Sequence, residues 1–161
     1  MKRLLAPRSV AVIGGGGWCA NVLRELDRIG FDGPVWHVHP KRKGAFASVD
    51  ALPEAPDAAF VGVNRAAAGE VIGALARRGA GGAICFASGF REAASELADG
   101  GDLQAALVAA AGKMPVLGPN CYGFVNALDR VALWPDQHGC VAVDSGVAIL
   151  TQSSNIALNL T

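Results

Sequence analysis

Charge is sparse in this sequence, and what there is cancels: 14 lysines and arginines stand against 14 aspartates and glutamates over 161 residues. Without a basic field, neither nucleic acid nor an anionic membrane surface is an expected partner. Long apolar runs are missing as well; none approaches the roughly 18 residues that a membrane-spanning helix needs. Met1 to Pro7 carries Lys2 and Arg3 but no long apolar core, so this start does not read as a signal peptide. The four cysteines, Cys19, Cys85, Cys121 and Cys140, form no C-x-x-C pair. Each lies in apolar or glycine-rich surroundings, where a thiol behaves as a small hydrophobe, and the natural reading is a reducing, cytoplasmic compartment. Histidines number only three. His37, His39 and His138 can be joined with Cys140 into a metal set through H-x-H and H-x-C. Nothing fixes His138 near the other two, and no metal is expected.

What is present in quantity is apolar side chain, 52% of residues, which excludes a disordered tail and supports one domain with a sizeable core. The run Ser9-Val10-Ala11-Val12-Ile13 ends in Gly14-Gly15-Gly16-Gly17, and Trp18 to Leu26 follows with helical spacing. Strand, glycine turn and helix is how an α/β domain opens a phosphate site: glycine lets the backbone approach the ligand, and the helix start offers unpaired N–H groups. Further strands are expected at Val35–His39, Ala58–Val63, Gly82–Phe86 and Met114–Leu117. Helices are expected at Ala66–Arg78 and over Arg91–Ala111, the second broken near Asp99–Asp102. This alternation predicts a Rossmann-like, doubly wound parallel sheet, whose ligand binds beyond the C-terminal strand ends.

The last segment reads differently. Trp134 to Gly139 is a loop, and Cys140–Ser145 a short strand and turn. Gly146 to Leu150 followed by Thr151-Gln152-Ser153-Ser154 repeats the opening grammar of strand, small polar residues and helix start. The expected division is a domain over residues 1–130, a linker over 131–145, and over 146–161 the first strand and helix of a truncated, flavodoxin-like second domain. Such a beginning cannot bury its own apolar face. Val147–Leu150 and Ile156–Leu160 are therefore expected to pair with another copy in a homodimer, or to be poorly ordered.

Gly15-Gly16-Gly17-Trp18-Cys19-Ala20 satisfies G-x-G-x-x-G/A, a weak match because four glycines allow several registers. The second half of that fingerprint is an acid at the end of the second strand, which holds a ribose hydroxyl. Here the position reads His39-Pro40-Lys41-Arg42-Lys43, with no acid. NAD is disfavoured. A basic cluster suits an adenosine ribose with an extra phosphate, as in NADP or coenzyme A, although a solvated turn would read the same.

The sequence resembles the CoA-binding domain of the NDP-forming acyl-CoA synthetases (acetate–CoA ligase, ADP-forming), relatives of the succinyl-CoA synthetase α subunit. The resemblance runs through Pro7 to Gly14, Val38-His39-Pro40-Lys41 (similar to V-N-P-K) and Val61-Gly62-Val63. It continues in Ala87-Ser88-Gly89-Phe90-Arg91-Glu92-Ala93 (similar to S-A-G-F-K-E-A) and Gly118-Pro119-Asn120-Cys121-Tyr122-Gly123 (similar to G-P-N-C-x-G), the most specific piece. It ends in Thr151-Gln152-Ser153-Ser154, similar to the S-Q-S-G that opens the phosphohistidine-bearing domain.

This resemblance implies a role for each matching position. Gly14, Gly15, Gly16, Gly17 and Trp18 would wrap the diphosphate and pantetheine of CoA, with Lys41 on a phosphate of the adenosine end. Val63-Asn64 and Ala87-Ser88-Gly89 would follow the adenine and pantetheine, and Asn120-Cys121 would lie near the thiol. Relatives pass the acyl group from an acyl phosphate to CoA, so Cys121 reads as packing and not as a nucleophile. Ser153 and Ser154 match an anion site for the phosphohistidine. The relay histidine itself would lie beyond Thr161, so this segment holds no catalytic residue and alone should bind without turnover. ATP or ADP with Mg, and the carboxylic acid or acyl phosphate, would come through an ATP-grasp domain or subunit and other parts of the whole protein. Three departures stand out: the glycine loop is short, Asn64 replaces a usual proline, and Ser154 a usual glycine. The competing readings are an NADP-dependent Rossmann oxidoreductase, for which no Tyr-x-x-x-Lys is found, and a non-catalytic CoA-sensing module.

Overall fold

The computed structural model describes residues 1–161. A short helix α1 (Lys2–Leu5) precedes strand β1 (Val10–Ile13), whose four residues are all buried. The glycine turn leads into α2 (Gly17–Ile29), where Cys19, Val22, Leu26 and Ile29 recur at helical spacing on the buried face. β2 (Val35–Val38) and β3 (Ala58–Val61) follow, then α3 (Arg65–Arg78), β4 (Ala83–Cys85), α4 (Gly100–Ala111) and β5 (Val116–Leu117).

These five strands form one parallel sheet in the order β2-β1-β3-β4-β5. Val10 pairs with Val35 on one side and Ala58 on the other, and Ile13 with Val38 and Val61. The order reverses between β1 and β3, so the crevice of this doubly wound sheet opens at the C-terminal end of β1. Alternate residues of the strands fill two cores. Ala11, Ile13, Ala59 and Val61 pack with Ile72, Leu75, Phe90 and Leu107 of the α3–α4 face. Val10, Val12, Phe60 and Ile84 pack with Val22 and Leu26 of α2. Burial on both faces is why the central strands β1, β3 and β4 are apolar throughout.

The helix expected over Arg91–Ala111 is a 3-10 turn at Arg91–Ala93 and then α4, separated by the turn that includes Asp99. An antiparallel hairpin not anticipated from sequence follows the sheet: β6 (Phe124–Asn126) and β7 (Val131–Leu133). β7 is wholly buried against α2, so the division placed at residue 130 falls inside this hairpin. Beyond it, Arg28 of α2 donates through Nη2 to the His138 carbonyl (2.6 Å) and to Nδ1 of its ring (2.7 Å). Nε2 of that ring lies 3.3 Å from the Glu25 carboxylate. Asn21 Nδ2 also donates to the Pro135 carbonyl, so the chain stays pinned to α2 as far as His138.

The strands expected at Cys140–Ser145 and Gly146–Leu150 do not form. A strand is stabilised by ladder bonds and cross-strand packing. No neighbouring strand pairs with this stretch, and Val147 and Leu150 are 90% and 97% exposed. The helix after it does form, α5 (Ser154–Leu160), with Ser153 Oγ accepting from the Ile156 N–H at 3.3 Å. No helix is long and apolar enough to cross a membrane.

Candidate functional site

Five loops leave the C-terminal edge of the sheet, and every residue expected at the CoA site lies on one of them or in the first turn of α2, while Ser153 and Ser154, expected at the phosphohistidine site, lie in the far segment. In the β1–α2 turn, Gly14 has φ +132°, and its N–H donates to the Val38 carbonyl at 3.0 Å. A Cβ there would stand 2.5 Å from the Gly62 carbonyl oxygen and 2.8 Å from Cys19 Sγ, so the turn closes onto the β3 loop only because the residue is glycine. Gly15, Gly16 and Gly17 are exposed, and a Cβ on Gly16 or Gly17 would meet nothing within 4 Å. The N–H group of Gly15 donates to no protein group, that of Gly16 faces the Cys19 sulfur, and those of the first α2 turn have no intrahelical partner. The turn is thus an open cradle of backbone donors, the chemistry a phosphate group requires.

The Gly118–Gly123 loop is stitched to the end of β4: the Asn120 N–H donates to the Ala87 carbonyl (2.8 Å) and the Cys121 N–H to the Cys85 carbonyl (3.2 Å). Gly118 at φ +110° and Asn120 at φ +54° make the reversal that allows this. Between this loop and Trp18, the residue after the glycine turn, lies a cleft of about 540 Å³. Trp18, Val63, Asn64, Ala87, Ser88, Asn120 and Cys121 line it, which brings together seven of the thirteen residues expected to bind CoA.

Four further lining residues were not among those expected to bind CoA: Gly62, Arg65, Phe86 and Tyr122. Trp18, 48% exposed, rests on Phe86 and Tyr122 with ring centroids at 5.5 and 6.3 Å, and Tyr122 rests on Trp134 at 5.0 Å. One wall is therefore aromatic. Arg65 carries the only charge on the lining. It donates to the Gly89 carbonyl (2.8 Å) and to both Asp99 carboxylate oxygens (2.9 and 3.1 Å), which ties the β3, β4 and α4 loops together. The guanidinium holds the Asp99 carboxyl below the usual carboxylate range. Gly89 thus supports the cleft from behind without lining it. Burial pushes the Cys121 thiol up, only partly offset by the Gly123 N–H, so at neutral pH it is no thiolate.

Lys41 is exposed in the loop after β2, on the other side of the glycine turn from this cleft. Ser153 spends its hydroxyl capping α5, and Ser154 begins that helix. Gln152 lines a second cleft of about 680 Å³ with Arg91, Glu92, Gln104 and the Gly118–Asn120 stretch, so Asn120 borders both clefts. His37 and His39 stand with ring centroids 6.4 Å apart while His138 is held at α2, and no three histidine, cysteine or acidic side chains gather as a metal set.

Residues 8–127 match the family described as CoA binding domain. The chain belongs to that family. Among proteins of known activity, the CoA-binding domain is 37% identical over 143 residues to trans-feruloyl-CoA synthase FCS1 of an unknown prokaryotic organism, covering 83% of this chain and 20% of that protein. It is 30% identical over 167 residues to the ADP-forming 4-hydroxybutyrate–CoA ligase of Nitrosopumilus maritimus, covering 98% of this chain and 24% of that protein. Among solved structures, dinucleotide forming acetyl-coenzyme A synthetase 1 of Ca. Korarchaeum cryptofilum superposes with a TM-score of 0.75 at 28% identity. That superposition covers 85% of this chain and 32% of the larger one. The domain spans about a fifth to a quarter of the length of these curated relatives. The fold is that of the corresponding α/β domain in the acetyl-CoA synthetase, and the homologues are CoA ligases.

Proposed function

We propose that this domain binds coenzyme A along the C-terminal edge of its sheet, as the CoA-binding part of an NDP-forming acid–CoA ligase. The observation that carries the reading is the joining of an open glycine turn to an aromatic-walled cleft whose only charge is the Arg65 cation. A diphosphate suits the free N–H group of Gly15 and those of the first α2 turn, with Lys41 beside it for the adenosine phosphates. The pantetheine arm, apolar with two amides, suits the cleft between Trp18 and Asn120. When bound, CoA would supply a thiol to take the acyl group of an acyl phosphate, the C–S bond forming as the acyl C–O bond breaks and inorganic phosphate leaves. This chain's residues bind and orient that thiol, and the phosphohistidine relay and nucleotide site belong to other parts of the whole protein. Cys121, protonated and half-buried, packs beside the thiol end.

Thermal unfolding tests this. CoA at about 100 times its Kd stabilises a one-site binder by about 2.7 kcal/mol, which for a domain of this size raises Tm by roughly 5–10 °C. NADPH should leave Tm unchanged. No shift with millimolar CoA refutes the reading, and a shift with NADPH alone replaces it with the oxidoreductase.

A further inference from the structure

At the end of β2, where dinucleotide-binding sheets place an acid, His39 turns its ring back over the glycine turn. The Lys41 backbone N–H points at His39 Nδ1 from 3.1 Å. A backbone N–H can only donate, so Nδ1 accepts, and the neutral ring carries its proton on Nε2. That Nε2 has no partner within the protein. It lies, with Cδ2, in the space a side chain on Gly15 would fill, and Cε1 is 3.5 Å from the same point. The neighbouring His37 is fixed the other way: its Nε2 donates to the Gly14 carbonyl at 2.7 Å. One imidazole braces the turn from behind, and the second presents a free N–H across its open side. The surroundings favour an anion there. The first turn of α2 has no acidic residue, and Lys41, Arg42 and Lys43 follow in the adjoining loop.

We propose that His39 is a phosphate-binding residue, donating its Nε2–H to a diphosphate oxygen seated on Gly15 and Gly16. It would do at this position, with a donor for a phosphate, what an acid does for a ribose hydroxyl in NAD-binding sheets. This rests on the CoA reading and adds to it: the glycine cradle becomes a site built from backbone and side-chain donors together, and the missing acid becomes a specificity element. A hydrogen bond to an ionised phosphate is strong enough that its loss weakens binding about tenfold or more.

Calorimetric titration of the chain with CoA and with pantetheine, which lacks the phosphates, tests this. His39→Gln places an amide N–H near the Nε2 position and should keep CoA affinity within about threefold. His39→Asn reaches only as far as Nδ1 and His39→Phe donates nothing, so both should weaken CoA about tenfold while pantetheine binding stays unchanged. Equal losses for CoA and pantetheine, or CoA affinity untouched by Asn and Phe, overturn the role of His39. No CoA binding by the unsubstituted chain overturns the CoA reading itself. In the unsubstituted chain, the nitrogen resonances of the His39 imidazole should show the Nε2–H tautomer and move on adding inorganic pyrophosphate. The opposite tautomer, or no movement at saturating CoA, refutes the proposal without any variant having to fold.

Discussion

Gly14 and Gly16 stand two residues apart in one turn, yet the structure assigns them opposite roles, and alanine at each should separate stability from binding. At Gly14 the backbone sits at φ +132°, a region that costs an L-residue about 1–3 kcal/mol. The added methyl would also stand 2.5 Å from the Gly62 carbonyl oxygen and 2.8 Å from the buried Cys19 sulfur. Neither neighbour is a flexible side-chain tip, since Gly62 O is backbone and Cys19 is 1% exposed, so relief means parting β1 from the β3 loop. Overpacking of that kind costs about 1–3 kcal/mol. Gly14→Ala should therefore lose at least about 2 kcal/mol, a Tm fall of roughly 4–8 °C. At Gly16 the methyl enters open space, and the structural cost is that of alanine for glycine at an N-cap, about 0.5 kcal/mol. That open space is the volume assigned to the diphosphate. Gly16→Ala should accordingly weaken CoA about tenfold with Tm, measured without ligand, nearly unchanged. Melting curves and CoA titrations of both variants decide it. CoA binding by Gly16→Ala at unsubstituted affinity refutes the placement of the diphosphate, and an unchanged Tm for Gly14→Ala refutes the steric argument for the turn.

Arg65→Ala removes the only charge lining the cleft and unties Gly89 and Asp99 from α3, so CoA affinity should fall several-fold in titration with the sheet intact by circular dichroism. His138 gives a pH dependence whose sign follows from its surroundings. Burial first, and then the Arg28 guanidinium, push its ring below the usual histidine range, against the opposing pull of Glu25. The unfolded chain therefore binds the proton more readily, and the stability this residue contributes is present above about pH 6.5 and is lost as pH falls through the lower folded value. The denaturant midpoint should drop between pH 7 and pH 5, and His138→Gln should flatten that part of the curve.

The alternation of strand and helix was legible because the central strands β1, β3 and β4 are buried on both faces and so apolar throughout, with glycine closing α2 and α3. The hairpin was not, since Phe124–Asn126 and Val131–Leu133 are three residues each, too short for a period-2 pattern to stand out. Its one local signal lies in the turn. Asn126 Oδ1 accepts from the N–H groups of Leu128 and Asp129 at 3.1 and 3.2 Å, the self-capping asparagine turn that short polar side chains favour. Gly146–Leu150 failed in the opposite sense: its composition is that of a strand, but composition supplies no neighbour to pair with, and its residues lie exposed.

The site divides along the same line. Residues expected from motif position, such as Asn64, Ser88 and Asn120, fell on the cleft because a parallel sheet gathers every C-terminal loop at one edge. Arg65 and Phe86 flank those motifs in sequence and Tyr122 fills the variable position of one, yet what makes them matter is three-dimensional: one ties three loops together, and two back the Trp18 ring. His39 shows how far sequence reading reaches. From the letters alone it marked an absent acid, one corner of a metal set and a position in the Val38–Lys41 motif, but no phosphate donor. Its donor becomes visible only once β2 is registered against β1, because that pairing, Ile13 with Val38, sets the next residue on each strand, Gly14 and His39, on the same rim. A glycine turn therefore points to a phosphate site from sequence, while the side chain proposed to select the phosphate is read from the neighbouring strand.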